Sequence, residues 1–271
     1  MRTGLAFPAR PLYLRPMLMV ISPAKAMNFE APERVLPLTT PALKDDIAEL
    51  DTVTRKLRPR DLRQLMDISE KLADLNHARF QAFDPSVEDG LQAAVAFNGD
   101  VYAGLNARSL DAKAFAWAQD HLRILSGLYG VLRPADAIQP YRLEMGVQLK
   151  TKRGRSLYQF WGDRIARALN EAAEGHRDRR LVNLASQEYF GAVDLKALTL
   201  PVITCRFFED RGDVTKQISF MAKKARGMMA RYAIDGRIDR VEGLKDFDRE
   251  GYAWRPDLST DVDWVFLRKS G

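Results

Sequence analysis

Cysteine and histidine are the scarcest chemically reactive residues in this sequence of 271 residues. The single cysteine, Cys205, excludes an internal disulfide. With only His77, His121 and His176 beside it, the sequence lacks the sulfur and nitrogen ligands of a structural zinc site. We therefore expect no metal and no cofactor, and a lone thiol suits the reducing cytoplasm.

Long apolar runs are also missing, since no stretch approaches the roughly 18 consecutive apolar residues that a bilayer crossing needs. We therefore expect no membrane partner. The hydrophobic fraction of 46% and the charged fraction of 29% are typical of a globular domain. A chain of this length can bury a substantial core.

Acidic residues are absent from residues 1–16, which contain Arg2, Arg10 and Arg15. The formal charge of the chain is +6, and these three arginines supply half of it. Prolines interrupt the segment, which is unlike a targeting peptide. We expect 1–16 to be a disordered extension, or the product of a start codon assigned too early. The folded domain is expected at 17–271.

Apolar runs and apolar periodicity alternate along the rest of the chain, which predicts an α/β fold. Strands are predicted at 17–22, 122–125, 180–185, 201–208 and 263–269. Helices are predicted at about 43–57, 59–66, 108–120, 156–173, 218–232 and 241–247. Together they predict a mixed sheet with surrounding helices in a single compact domain.

The helix predicted at 218–232 is basic, and no acidic residue lies between Asp213 and Asp235. At 100° per residue its methionines fall on one face and its basic side chains on the opposite one. Those basic residues are Lys223, Lys224, Arg226 and Arg231. The pattern is typical of a solvated face or of a surface that binds a polyanion. An apolar face made mostly of methionine and alanine disfavours a membrane surface.

Residues 72–76, LADLN, are expected to connect two helices, as in a helix-hairpin-helix unit whose amides bind a DNA phosphate. Leu72 and Leu75 fit its apolar positions, and Asp74 and Asn76 occupy its glycine positions. Asn76 would also cap the following helix. An ordinary turn between two helices gives the same pattern and is favoured on the pattern alone. The carboxylate of Asp74 also opposes phosphate binding.

Strand ends are the usual location of sites in α/β proteins, and Ser22 and Lys25 lie where the first predicted strand ends. They could form a nucleophile pair, or Lys25 could anchor a phosphate or be a turn lysine. Arg142 lies in a loop suited to phosphate contact. It could equally form a structural ion pair with Glu144 or Asp136.

Three other features carry less information. The segment SGLYG at 126–130 predicts a tight backbone passage, since it matches no nucleotide-binding fingerprint. The run KTKRGR at 150–155 is typical of a solvated loop that can collect phosphates. Carboxylates that could act in acid–base catalysis or bind a divalent ion are scattered along the chain. They include Asp100, Glu144, Asp163, Glu188 and Asp248.

Five stretches together resemble the YaaA peroxide-stress-response family over about 17–268. They are ISPAK, LSGLYGVLRP…QPYRLEMG, LYQFWGD, NLASQEYF and ISFMAKKARGMM. The resemblance implies a cytoplasmic DNA-binding protein that is induced by hydrogen peroxide and limits iron-driven DNA damage. It also implies an uncommon single-domain α/β fold with a basic cleft and a helix-hairpin-helix.

The resemblance places the hairpin at Leu72–Asn76, although relatives have glycine where this chain has Asp74. It places the basic cleft on a set of cationic residues. The set is Lys25, Arg142, Lys223, Lys224 and Arg226. No motif reads bases, so we expect DNA binding through backbone phosphates without sequence specificity. No stable protein partner is expected.

Two other functions stay open at this point. An enzyme could hold a nucleotide or another phosphorylated small molecule near Ser22, Lys25, Arg142 and Glu144. An iron-handling protein would have to rely on carboxylates alone or act indirectly. The sequence identifies no catalytic residues, and an enzyme is expected less than a DNA-binding protein.

Overall fold

The computed structural model describes residues 17–32, 37–86, 90–176, 178–210, 212 and 215–269. The extension predicted at 1–16 lies outside these residues. The buried apolar side chains form one core cluster that includes residues from Met17 to Phe266. The described part of the chain is therefore a mixed α/β fold around one core.

The strands form where the sequence has short apolar runs, and their bounds are as follows. They are β1 Leu18–Ile21, β2 Ala26–Met27, β3 Leu91–Gln92, β4 Phe97–Asn98, β5 Leu122–Ser126, β6 Gly130–Leu132, β7 Ala137–Ile138, β8 Leu181–Leu184, β9 Val202–Asp210, β10 Thr215–Lys216, β11 Tyr252–Trp254 and β12 Asp263–Lys269. The strands that were predicted from apolar runs are confirmed as β1, β5, β8, β9 and β12.

The main sheet has the order β11-β12-β9-β8-β1-β5-β6, with β10 paired to β9. Strand β1 pairs in parallel with β5 on one side and with β8 on the other. All of β1 is buried, as expected for a central parallel strand covered on both faces. The chain moves from β1 to β5 and β6, then crosses to β8 on the other side of β1. The carboxyl ends of β1 and β8 therefore form a topological switch point, where α/β proteins commonly bind ligands.

The helices surround this sheet, with the following bounds. They are α1 Lys44–Thr54, α2 Pro59–Met66, α3 Glu70–Ala82, α4 Ala93–Ala96, α5 Asp100–Leu105, α6 Ala112–His121, α7 Leu157–Trp161, α8 Arg164–Ala172, α9 Gln187–Phe190 and α10 Ser219–Gly236. The helix predicted at 156–173 is split in two, because Gly162 adopts φ +48 between α7 and α8. The segment 241–246 is a 3₁₀ helix.

The hairpin predicted at Leu72–Asn76 is wrong, because these residues lie inside α3. The connection between α2 and α3 is earlier, where Asp67 adopts a left-handed backbone and Ser69 caps α3. Asn76 is 1% exposed, and its Nδ2 donates to the carbonyl of Leu72 at 2.7 Å. It therefore has no surface for a phosphate contact. Leu72 stays exposed on the helix.

Helix α10 lies unusually close to α5, because a glycine of each helix contacts the backbone of the other helix. A Cβ added to Gly227 would lie 1.8 Å from the carbonyl oxygen of Val101. A Cβ added to Gly104 would lie 2.1 Å from the carbonyl oxygen of Lys224. Real Cβ atoms do not approach backbone oxygens so closely, so both positions require glycine. This contact fixes where α10 presents its basic side chains.

We predict that Gly227→Ala lowers the free energy of unfolding by roughly 1–3 kcal/mol, because the methyl group forces α5 and α10 apart. Chemical denaturation of the full chain measures this change. The matched control is Gly236→Ala in the same helix, where the new Cβ meets only the side chain of Ile238. Equal stability of the Gly227→Ala variant and the unchanged protein would contradict the packing at this contact.

Candidate functional site

Two serines join the carboxyl ends of the central strands at the switch point. Ser22 directly follows β1, and Ser186 lies two residues beyond the end of β8. The backbone N–H of Ser186 donates to Oγ of Ser22 at 2.8 Å, and the two hydroxyl oxygens are 3.3 Å apart. Ser186 also caps α9 by accepting from the N–H of Tyr189. The two serines therefore hold the start of α9 against the end of β1.

A buried tyrosine fixes the same corner from α5. The hydroxyl of Tyr102 donates to the carbonyl oxygen of Ser22 at 3.1 Å. Burial raises the pKa of Tyr102, and the neighbouring Tyr141 and Tyr189 raise it further. The phenol is therefore neutral at physiological pH and acts as a fixed hydrogen-bond donor.

The segment 141–150 forms one wall of the site through an alternating pattern. Its odd-numbered residues are apolar and buried, from Tyr141 to Leu149. Its even-numbered residues point outward and include Arg142, Glu144 and Lys150. This period of two is that of an extended chain that lies with one side on the core. The segment is therefore anchored by its apolar residues and presents its charged ones.

Gly127 allows this segment to lie against the sheet. A Cβ at Gly127 would be 2.2 Å from the carbonyl oxygen of Leu143. The carbonyl of Gly127 also accepts a hydrogen bond from Nε1 of Trp161 at 3.0 Å. The tight backbone passage predicted for SGLYG is confirmed at this residue, because only glycine leaves room for the crossing chain.

Glu144 joins two of the cations that the sequence analysis selected. One carboxylate oxygen lies 2.7 Å from Nζ of Lys25, and the other lies 2.8 Å from Nη2 of Arg142. Arg142 and Glu144 are half-buried, whereas the side chain of Lys25 is 64% exposed. Of the four residues grouped for an enzyme, the structure brings Lys25, Arg142 and Glu144 together, whereas Ser22 hydrogen-bonds Ser186. The alternative structural pairing of Arg142 with Glu144 is seen as well, and Asp136 pairs instead with Arg133.

A cavity of about 690 Å³ opens beside this cluster. Glu144 and Glu188 line it from the strand ends, and Asp61 and Asp67 line it from the α2 side. Lys150 is the cation on its wall. Glu188 is held in place because it accepts a hydrogen bond from the N–H of Gly146 at 3.0 Å. This space, the acidic cavity, has the size of a small-molecule pocket.

A second cavity of about 450 Å³ lies on the other side of α9. Arg206 and Arg226 line it. Gln187, the residue before Glu188 on α9, lines it as well. We call it the arginine cavity. Helix α9 therefore separates two spaces of opposite character, since Gln187 lines the arginine cavity and Glu188 lines the acidic cavity.

The basic helix α10 is less basic in the fold than in the sequence. Lys224 pairs with Glu250, and Arg231 pairs with Asp235 while donating to the carbonyls of Leu105 and Asn106. Although no acidic residue lies between Asp213 and Asp235 in the sequence, acids from outside that stretch or at its end neutralise these two residues.

The other two basic residues of α10 have different surroundings. Lys223 is exposed and forms no ion pair with any residue that the structure describes. Arg226 is largely buried in the arginine cavity and does not lie on an open wall. The predicted DNA-facing set is thus divided between Lys25 with Arg142, Lys223 with Lys224, and Arg226.

The sequence analysis missed Ser186, Gln187 and Arg206. Ser186 was detectable, because it directly follows the strand predicted at 180–185, just as Ser22 follows the first strand. Arg206 lies in a predicted strand, and nothing in the sequence indicates that it comes near Arg226.

Two kinds of feature, a metal-binding cluster and a membrane-spanning helix, are absent from the described residues. Within the ranges that the structure describes, no group of three or more histidine, cysteine, aspartate or glutamate residues is arranged to hold a metal ion. Among the described helices, none has both the length and the apolar character that a bilayer crossing requires.

Comparison with known proteins places the chain in a family. Residues 17–258 match the family model described as peroxide stress protein YaaA. The chain belongs to the YaaA family. The resemblance inferred from the sequence motifs is therefore confirmed, and a family of peroxide stress proteins supports a role in oxidative stress.

Several proteins that are similar to this chain carry the name UPF0246 protein. One from Caulobacter sp. (strain K31) is 69% identical over 252 residues, which cover 93% of this chain and 99% of the relative. One from Phenylobacterium zucineum is 64% identical over 252 residues, covering 93% and 95% of the two chains. One from Delftia acidovorans is 52% identical over 259 residues, covering 94% and 99%.

A member of a peroxide stress family could in principle sense peroxide through a thiol, and Cys205 borders the arginine cavity. The residue is 2% exposed, and burial raises the pKa of its thiol to about 12. The thiolate is the form that reacts with peroxide. Cys205 therefore stays protonated at physiological pH and is a poor nucleophile.

We predict that Cys205 of the native YaaA-family chain reacts with hydrogen peroxide or iodoacetamide far more slowly than a free thiol between pH 7 and 9. Over this range a thiol with a pKa near 12 remains protonated. Mass spectrometry of the intact chain measures the modified fraction, with the unfolded chain as the control that must react. Rapid modification of the native chain would contradict the inert environment.

Proposed function

We propose that this protein acts in the cytoplasmic peroxide stress response by binding the phosphate backbone of DNA without reading its sequence. The binding surface lies around residues 22–28, 141–152 and 219–224, which we call the switch-point crevice. Lys25 and Lys223 are its main contacts. Arg142 and Lys224 would lie near the phosphates. Like Lys25, each of them is paired with a carboxylate. Leu72 and Asn76 are not part of this surface.

The observation that carries the proposal is that two exposed lysines stand on parts of the fold that β4 and α5 link to each other. Lys25 precedes β2, which pairs with β4, and β4 leads directly into α5. Helix α5 in turn packs against α10 next to Lys224, one residue from Lys223. Exposed lysines can exchange their counterions for phosphates, and this exchange is the main source of non-specific affinity.

The ion cluster brings two cations of the proposed surface together. Glu144 lies between the ammonium of Lys25 and the guanidinium of Arg142 and pairs with both. Lys150 and Lys152 are exposed in the following turn and extend the cationic surface along the same segment. A role in limiting iron-driven DNA damage is supported by the resemblance to the family alone.

We predict that Lys25→Gln with Lys223→Gln weakens duplex binding equally for unrelated sequences. Each lost phosphate contact lowers the slope of log affinity against log salt by about 1, so the slope should fall by about 2. Fluorescence anisotropy of labelled duplexes at several salt concentrations measures both quantities.

Two controls accompany this measurement. Lys71→Gln removes the same charge from an exposed position on α3 and should leave the affinity close to that of the unchanged protein. Thermal unfolding must show that the double variant is folded. If the double variant keeps the full affinity and the full salt slope, these lysines do not contact DNA and the proposed surface is wrong.

A second candidate function is an enzyme that acts on a nucleotide or another phosphorylated small molecule. The acidic cavity at the switch point favours it, because Glu144 and Glu188 are carboxylates suited to proton transfer. The same cluster supplies Lys25 and Arg142 as anion ligands.

One variant separates the two functions. Glu144→Gln frees Lys25 and Arg142 from their shared carboxylate, so a DNA-binding surface should bind duplex more tightly. An enzyme that uses Glu144 should instead lose turnover in assays of phosphate release from nucleotides. The DNA function is supported if Glu144→Gln binds duplex more tightly and the unchanged protein shows no turnover.

A further inference from the structure

The arginine cavity is lined by a guanidinium group, that of Arg226, whose Nε atom is buried. Nε of Arg226 is inaccessible to solvent and has no hydrogen-bond partner among the residues that the structure describes. Burial lowers the pKa of Arg226, and repulsion from Arg206 lowers it further. Arg226 thus keeps a charge in an unfavourable place, which costs stability unless a ligand compensates.

The neighbouring charges leave a positive excess in this cavity. Arg206 is neutralised in part by Asp263, whose carboxylate lies 2.7 Å from its Nε. Among the residues that the structure describes, no acid forms an ion pair with Arg226, and the nearby Arg206 lowers its pKa. Two guanidinium groups around one space are typical of sites that bind phosphate or carboxylate groups.

The rest of the wall suits the organic part of a ligand. Phe190 and Leu195 line the cavity, and Leu195 is 63% exposed at its margin. Gln187 and Gln217 add amide groups that can donate and accept hydrogen bonds. A volume of about 450 Å³ lies in the range of small-molecule pockets and is too small for a DNA duplex.

We propose that the arginine cavity binds a phosphate monoester of the size of a nucleoside monophosphate, with Arg226 and Arg206 on the phosphate and Phe190 beside the organic group. This site is separate from the proposed DNA surface, and it lies across α9 from the ion cluster of Glu144. Arg226 therefore moves from the predicted DNA contacts to a small-molecule site.

The test is isothermal titration calorimetry of the full chain with adenosine 5′-monophosphate, inorganic phosphate and adenosine. The monophosphate should bind, phosphate should bind more weakly, and adenosine should not bind measurably. Arg226→Gln should weaken monophosphate binding at least tenfold, whereas Lys71→Gln, the control, should leave it unchanged. No binding of the monophosphate at millimolar concentration would overturn the proposal.

Thermal unfolding without ligand distinguishes a binding role from a structural one. Because the charge of Arg226 is buried and unpaired, Arg226→Gln should keep or raise the melting temperature. A clear fall in the melting temperature would show that Arg226 stabilises the fold, and the proposal would then be wrong.

DNA could present the same phosphate chemistry as a free monoester, so a competition arm is needed. Duplex DNA should not displace the bound monophosphate, and Arg226→Gln should keep the duplex affinity of the unchanged protein. Displacement by duplex together with loss of duplex affinity would place Arg226 in the DNA surface and overturn the separate site. The binding of the monophosphate does not depend on the proposed DNA surface. If the lysine variants leave DNA binding unchanged, the calorimetry still tests the arginine cavity.

Discussion

The parallel pairing of β1 with β8 is the constraint on which the rest of the site depends. It brings Ser22 and Ser186 into contact, and this contact fixes the start of α9. Because adjacent residues of an α-helix are about 100° apart around its axis, neighbouring side chains of α9 face different spaces. Glu188 lines the acidic cavity and Gln187 lines the arginine cavity. One strand pairing thus creates both candidate binding spaces.

Ion pairing and burial together determine which cationic side chains are available to bind an anionic ligand. A count along the sequence suggests an unneutralised basic helix, but Glu250 reaches Lys224 from 26 residues away in the chain. Surface ion pairs contribute little to stability, so their main effect here is on the distribution of charge. Lys223 remains exposed without an ion pair among the described residues, and Lys25 remains exposed although it pairs with Glu144. Arg226 is withdrawn into a cavity. These different surroundings are why we assign α10 to two functions.

Local patterns predicted much of the fold and part of the site. Apolar runs identified the strands of the main sheet, and the position after β1 identified Ser22 and Lys25. The hairpin at Leu72–Asn76 failed because aspartate and asparagine also occur inside helices, and Ser69 is the true cap of α3. Arg206 and Arg226 line the same cavity because of tertiary contacts, so no local pattern could predict this arrangement.

The central claim is that DNA crosses the switch-point crevice and not the α2–α3 helix pair. Hydrogen–deuterium exchange of the full chain with and without a saturating duplex tests it most directly, because bound segments exchange more slowly. The account predicts slower exchange in residues 22–28, 141–152 and 219–224, with no change in 67–80. Slower exchange confined to 67–80, or no change in the three crevice segments, would contradict it.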